Sequence, residues 1–458
     1  MKIELDIPLS KEEIAYATKA KLNKKANKDK YIYSICTNSK EACENSLFIA
    51  LSTGHLYLSD AKKKGAATLA DIGYDADFNV LSSIDALLDL SAYYKGRLKN
   101  LKTTVAITGS VGKTTTKEIL SQILSYRYSV HSTYKNFNNE IGLPLSLLSA
   151  KKETEILVLE MGMNHTGEIG RLSEKIKPDM AIITNIGNAH IGNLGSRENI
   201  AKAKLEITRG MKEAHIIVPY GEKLLITDCK TTTFSSVIED ADFSLKNIKE
   251  TDGGFLFDIK TPSGITEDIS LSLPGKHHLS AVISAIATAY NLEFNGNDIK
   301  NSTKTVNRNI LRDQLIPLGR FNVYDDSYSS SPEAAAATLE MIASRYKNAS
   351  CVLGDMLELG EKSKEMHRYI GKIAATLNYK RIYALGTYAD NTALGAIDAG
   401  MNRSDVYVYK NGYDEREIAE EIIKNTEDGE TVLFKASHTV HIDRVYKKIQ
   451  EITENKNA

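Results

Sequence analysis

At 458 residues the chain is longer than one ordinary hydrophobic core organises, and the length points to about three domains. A net charge of −1, with 26% charged and 42% hydrophobic residues, excludes a disordered acidic chain and a basic nucleic-acid binder. No run approaches the ~18 apolar residues of a membrane span, and the start MKIELDIPLSKEE lacks the basic and apolar regions of a secretory signal. The expectation is a cytoplasmic monomer that acts on small molecules, with no nucleic-acid or membrane partner. Cys36, Cys43, Cys229 and Cys351 match no metal-ligand spacing and read as free thiols in a reducing compartment.

In chain order, residues 1–98 read as a small α/β domain, with a strand over 46–51 and a helix over 83–97. The lysine-rich stretch 95–102 reads as a linker. From 99 to 309 apolar strands (104–108, 156–159, 180–183) alternate with helices, the pattern of βαβ units and a mostly parallel sheet. Residues 254–260 and 266–273 flank Pro262-Ser-Gly264 and predict an antiparallel hairpin. A helix over 279–291 and a polar stretch over 301–309 follow. Residues 310–458 form a second alternating section of Rossmann-like α/β type. It has strands over 320–324 and 350–353, helices over 332–346 and from 363, further strands near 381 and 431, and a C-terminal helix.

The strand over 104–108 runs straight into Gly109, Ser110, Val111, Gly112, Lys113, Thr114 and Thr115, and a helix continues from there. Glycines let backbone N–H groups turn around phosphate oxygens, and the helix N-terminus adds partial positive charge. Lys113 supplies a point charge for β/γ-phosphates and Thr114 a hydroxyl for Mg²⁺. The central domain is therefore expected to be P-loop ATPase-like and to bind a nucleoside triphosphate. Glu160 and His190 follow the strands over 156–159 and 180–183, at the carboxyl edge where ligands sit in open α/β sheets. A carboxylate there is the expected second Mg²⁺ ligand.

Together, Thr108-Gly-Ser-Val-Gly-Lys-Thr-Thr-Thr-Lys117, Asn136-Phe-Asn-Asn-Glu-Ile-Gly-Leu-Pro144, Glu160-Met-Gly-Met-Asn-His165 and Thr184-Asn-Ile-Gly-Asn-Ala-His190 resemble the Mur ligases. Ala203-Lys-Leu-Glu-Ile207 and Gly354-Asp-Met-Leu-Glu-Leu-Gly360 bring the resemblance to the members that add D-alanyl-D-alanine to UDP-N-acetylmuramoyl-tripeptide in peptidoglycan synthesis. The resemblance implies three domains, 1–98 on the UDP-sugar side, 99–309 for ATP, and 310–458 closing over nucleotide and taking the incoming amine. It implies ATP, one Mg²⁺ near Thr114 and Glu160, and a second near His190 and a carbamylated Lys204. Read alone, Lys204 is an ordinary helix lysine facing solvent. By resemblance Lys113, Glu160, His190 and Lys204 are catalytic, and Asn138 and Asn139 lie near triphosphate and acceptor. Asn185, His278, Arg312 and Asp326 are on the nucleotide side, with a hinge near 309–312.

The residues that read substrate identity depart from the family pattern. The uridine-side D-S-R is Asn38-Ser39-Lys40, and a shortened loop leads to His55. The adenine-side G-x-H-N-x-x-N is Gly275-Lys-His-His278-Leu-Ser-Ala281. The acceptor-side segment is Asp326-Ser-Tyr328-Ser-Ser-Ser-Pro332, and the K-G-S-R motif is Lys435-Ala-Ser-His438. A paralogue joining another amine to another carboxylate is the alternative enzyme. A nucleotide-binding regulator is the alternative of another class, and the retained Glu160, His190 and Lys204 argue against it.

Overall fold

A computed structural model describes residues 2–22, 31–251, 253–307 and 314–457. Its strands form three sheets of six, nine and six strands. In the first, Tyr31–Cys36, Ser46–Ile49, Ala67–Asp71 and Phe78–Val80 run parallel, flanked by antiparallel Lys2–Ser10 and Lys21–Leu22. The helix Ser83–Arg97 buries Leu87, Leu90 and Tyr94. Its far side meets the next part of the chain: Tyr94 Oη donates to the Ala150 carbonyl at 3.0 Å, and Lys95 Nζ to those of Ile176 and Lys177 at 2.7 and 3.0 Å. The lysine-rich stretch expected as a linker is thus, in its first half, the last turn of a docked helix. Lys95 is there because a cation can satisfy the orphan carbonyls of another helix's C-terminus.

The nine-stranded sheet places Thr103–Thr108 between Ile156–Glu160 and Met180–Ile183, all parallel. These strands are largely apolar without alternation because helices cover both faces, and every side chain except that of Thr103 is buried. The connection from Thr103–Thr108 goes to the far edge strand Val130–Ser132, whereas Met180–Ile183 continues to His215–Pro219 and Lys230–Ser235 on the other side. That reversal makes the carboxyl ends of Thr103–Thr108 and Met180–Ile183 the switch point of the sheet, the binding position of such sheets. The expected hairpin is present as Gly254–Thr261 and Gly264–Leu271, antiparallel to each other. The polar stretch over 301–309 proves partly helical. Gly296–Thr305 forms a helix whose start is closed by an Asn295–Asp298 capping box, a signal that polarity alone hid.

The third sheet has the order Gln314–Leu318, Phe321–Asp326, Thr431–Lys435, Ala349–Leu353, Ile382–Leu385, Val406–Tyr409, parallel after the first hairpin. Its core packs Val323, Val352, Val432 and Phe434 against Ile418, Ile422 and Val445 of the covering helices. Ser331 caps the helix Pro332–Arg345, with proline in the first turn where its missing N–H costs nothing. Compactness divides the chain otherwise than by sheets. One unit comprises residues 1–184, 201–271 and 280–306, and the other 185–200, 272–279 and 307–458. Arg312 and the expected hinge over 309–312 lie outside the described residues.

One buried cation holds the ground on which the site is built. Lys117, in the helix Lys113–Leu124, is fully buried. Its Nζ donates to the Thr133 and Lys135 carbonyls at 2.6 and 2.7 Å and lies 3.0 Å from the Glu118 carboxylate. It thereby ties the phosphate-loop helix to the segment that leads to Asn138. Lys117→Met keeps the volume but leaves the buried Thr133 carbonyl unpaired, at about 1–3 kcal/mol, and takes the donor from the part-buried Lys135 carbonyl. The expected outcome is a clear drop in the denaturation midpoint, followed by circular dichroism; an unchanged midpoint contradicts this role.

Candidate functional site

The phosphate loop begins where the Thr103–Thr108 strand ends. Gly109 adopts φ +150°, and a Cβ there would stand 1.8 Å from Thr184 Oγ1, so only glycine fits. Thr184, at the end of the neighbouring strand, donates its hydroxyl to the Val111 carbonyl at 2.6 Å and pins the loop's crest. Gly112, at φ +82°, turns the chain into the helix that Lys113 begins. Lys113 Nζ folds over the loop, 2.8 Å from the Gly109 carbonyl and 3.3 Å from that of Ser110. This is a cradle of backbone N–H groups, a helix N-terminus and an ammonium, the chemistry that holds polyphosphate.

Glu160 is buried beside it. Thr114 donates to Glu160 Oε2 and Asn138 Nδ2 to Oε1, both at 2.8 Å. Asn138 reaches this position because Gly162 has no side chain; a Cβ there would be 2.8 Å from Asn138 Cγ. A hydroxyl and a carboxylate adjacent at the mouth of a phosphate loop are oxygen donors of the kind Mg²⁺ takes, so the residues fit a nucleotide-bound magnesium ion. Asn139 is engaged differently. Its Oδ1 accepts the backbone N–H groups of Ile141 and Gly142 at 3.2 and 2.8 Å, and so orders the turn into the helix Gly142–Leu148.

Lys204 does not face solvent. It is 1% exposed in the helix Arg197–Leu205, and its ammonium has no hydrogen bond or ion pair among the described residues. Burial first, and then the charge of Lys113, push its pKa well below the ordinary lysine value. The helix is held in place by Glu206, whose carboxylate accepts the N–H groups of Gly167 and Gly170 at the N-terminus of Glu168–Ile176.

The second unit holds another group of the expected residues. Pairing of Phe321–Asp326 with Thr431–Lys435 sets Asp326 opposite Lys435. The buried Lys435 ammonium lies 2.9 Å from the Asp326 carboxylate, which also accepts from Thr338 at 2.8 Å. The rings of Tyr328 and His438 meet at an interplanar angle of 56°, with centroids 5.1 Å apart. His278 is buried, and its Nδ1–H donates to the Pro274 carbonyl, which can only accept. Burial holds its pKa down at about 4, against the opposing pull of Asp326, so the ring is neutral at pH 7 with Nε2 left as an acceptor. His190 Nδ1 lies against the Glu358 carboxylate. Asn185 belongs to the same unit.

On the first sheet, Asn38 Oδ1 accepts the Lys40 N–H at 3.0 Å, and Lys64 Nζ binds the carbonyls of Ser39 and Lys40 at 2.8 and 2.9 Å. His55 stacks on Tyr74, with centroids 4.5 Å apart. The expected residues thus fall into three groups, of which the phosphate-loop group is the most tightly connected. Sequence reasoning missed Lys117, Thr184, Glu333 and Glu358. Lys117, Thr184 and Glu358 stood inside the family motifs, but nothing in their spacing revealed their contacts.

A model of the Mur ligase middle domain matches residues 107–289, and one of the Mur ligase glutamate ligase domain matches residues 312–438. The chain is 32% identical over 456 residues to the UDP-N-acetylmuramoyl-tripeptide--D-alanyl-D-alanine ligase of Bacillus subtilis, covering 96% of this chain and 98% of the relative. Crystal structure I of MurF from Acinetobacter baumannii superposes with a TM-score of 0.88 at 27% identity, covering 98% of this chain and all of that one. MurF ligase from Thermotoga maritima in complex with ADP superposes at 0.76, with 30% identity over 92% of this chain and 98% of that one. The fold of three sheets is thus that of a known lineage, and the chain belongs to the Mur ligase family.

Proposed function

We propose that this chain adds D-alanyl-D-alanine to UDP-N-acetylmuramoyl-tripeptide at the expense of ATP, in the cytoplasm, where peptidoglycan precursors and ATP meet. The observation that carries the reading is the hydrogen-bonded set of Thr114, Glu160 and Asn138 at the mouth of the phosphate loop. Domain boundaries at 98/99 and 309/310 divide the labour between UDP-sugar, ATP and incoming amine in this reading.

In the proposed reaction a terminal carboxylate oxygen of the tripeptide attacks the γ-phosphorus. The C–O–P bond forms, the β–γ bridge breaks, and ADP leaves. The dipeptide amine then attacks the acyl carbon, and collapse of the tetrahedral intermediate expels phosphate while the nitrogen loses its proton. Backbone N–H groups of residues 109–115 and the Lys113 ammonium stabilise charge on the phosphates where it grows. Thr114 and Glu160 would hold one magnesium ion, which when bound neutralises phosphate charge. Lys204 is proposed to serve a second ion, and His190, Asn185 and Asp326 keep the roles that the family resemblance implies. Neutral His278, accepting through Nε2, suits the amino group of adenine and repels the carbonyl oxygen of guanine.

ADP release against a panel of UDP-muramoyl peptides, amino acids and dipeptides tests the assignment. Release is expected only when the tripeptide and D-alanyl-D-alanine are both present, with ATP strongly preferred to GTP and the preference narrowed in His278→Ala. Turnover with a different carboxylate or amine, and none with this pair, makes the chain a paralogue.

We further propose that Lys204 is carbamylated. Burial of the Lys204 side chain disfavours its ammonium, and the neutral amine is the form that reacts with CO₂. The carbamate replaces a cation with anionic oxygens of the type Mg²⁺ prefers. Lys204→Ala is expected to lose at least ~10²-fold in turnover, with partial recovery on adding short-chain carboxylates. Full activity of Lys204→Ala in CO₂-depleted buffer contradicts the carbamate.

A further inference from the structure

Tyr31–Cys36, Ser46–Ile49 and Ala67–Asp71 are adjacent parallel strands of the first sheet, so the loops that leave their carboxyl ends emerge side by side. That edge is where parallel α/β sheets hold ligands. The first loop carries Asn38, Ser39 and Lys40, the second His55 and the third Tyr74. Each loop is braced. Lys64 Nζ holds the carbonyls of Ser39 and Lys40, and Asn38 Oδ1 accepts the Lys40 N–H. Ser52 takes a left-handed φ of +50°, and its carbonyl accepts the His55 Nδ1–H at 3.0 Å, which sets the plane of the imidazole. Asn79 Nδ2 donates to the Tyr74 carbonyl at 2.9 Å, just after Gly73 turns the chain at φ +103°. All of these residues belong to one compact unit.

The braces bring the His55 and Tyr74 rings nearly face to face, with centroids 4.5 Å apart and an interplanar angle of 26°. Tyr74 nevertheless stays 42% exposed. A ring ordered by a neighbour but left to water adds little to the core, and a ligand that stacks on it immobilises little more. Two aromatic rings enter the proposed reaction, the adenine of ATP and the uracil of the nucleotide-sugar. ATP is held by its phosphates at the nine-stranded sheet, so uracil is the flat group left for this edge. We infer that Tyr74, backed by His55, is a substrate-binding residue on which the uracil ring stacks, with Lys40 on the neighbouring loop offering charge to the diphosphate. The inference rests on the nucleotide-sugar reading proposed above. Tyr74 lies outside all the motifs that carry the family resemblance. Stacking on it offsets what the altered Asn38-Ser-Lys40 motif gives up, because one base–aromatic stack changes affinity by roughly 10–100-fold.

The chain contains no tryptophan, so Tyr74→Trp places a single indole at this position. The test uses the full chain with the phosphate loop saturated by ADP and Mg²⁺. UDP is the probe, and pyrophosphate is the control that lacks a base. Indole emission is expected to be quenched as UDP is added and to stay unchanged with pyrophosphate. By calorimetry, Tyr74→Ala is expected to bind UDP roughly 10–100-fold more weakly than the native chain. Tyr74→Phe keeps the ring and is expected to keep the affinity. In turnover, KM for the nucleotide-sugar should rise in Tyr74→Ala while kcat holds, because the base takes no part in the chemistry. Unchanged UDP affinity in folded Tyr74→Ala, or equal quenching by pyrophosphate, overturns the inference and leaves the proposed reaction standing. A native chain that binds no UDP overturns both.

Discussion

A nucleoside triphosphate concentrates negative charge in a few ångströms, and the central sheet is arranged around the need to hold it. Two unit charges about 4 Å apart interact by ~4 kcal/mol at an effective dielectric of roughly 20, so placement of each charge matters. Parallel pairing delivers three chain segments to one edge: the phosphate loop after Thr108, Glu160 on one side, and Thr184 on the other. The reversal of connections at that point makes this edge the switch point of the sheet. Gly109 and Gly162 let Thr184 and Asn138 approach the loop and Glu160, and Gly112 takes the positive φ that turns the loop into its helix.

Two lysines near this edge show what burial means in each case. Lys117 and Lys204 are almost equally buried. Lys117 gives its hydrogens to two carbonyls and a carboxylate, so its charge is solvated by the protein and serves as a structural tie. Lys204 has no such partner among the described residues, and its folded environment favours the uncharged amine. Their difference is one of satisfied and unsatisfied valence. A lysine that the fold buries without an acceptor is a group prepared for chemistry, and that contrast supports its assignment as the modified residue.

Features whose cause is local were legible in the sequence. The phosphate loop, the strand ending in Glu160, the hairpin around residue 262 and the helix over 83–97 all follow from glycine placement and short-range periodicity. Features whose cause is distant were not. The docked turn at Lys95 depends on carbonyls some eighty residues away. Strand Val406–Tyr409, half exposed at a sheet edge, lacks the apolar run that marked the inner strands. Glu333 and Glu358 acquire meaning only when the fold brings Asn188 and His190 to them. His278 could be recognised as a departure, but its tautomer depends on the Pro274 carbonyl.

The motifs proposed to read the substrates depart from the family pattern, whereas Thr114, Glu160 and Asn138, proposed to serve the phosphates and magnesium, are hydrogen-bonded to one another through the Glu160 carboxylate. The central claim is therefore chemical: the phosphate-loop edge transfers a phosphoryl group to a carboxylate. Oxygen-18 tracing tests it most directly. With the tripeptide's terminal carboxylate labelled, turnover with ATP and D-alanyl-D-alanine should carry one labelled oxygen into inorganic phosphate, because the acyl C–O bond breaks after phosphorylation. Product formed with unlabelled phosphate would contradict an acyl-phosphate route and the account built on it.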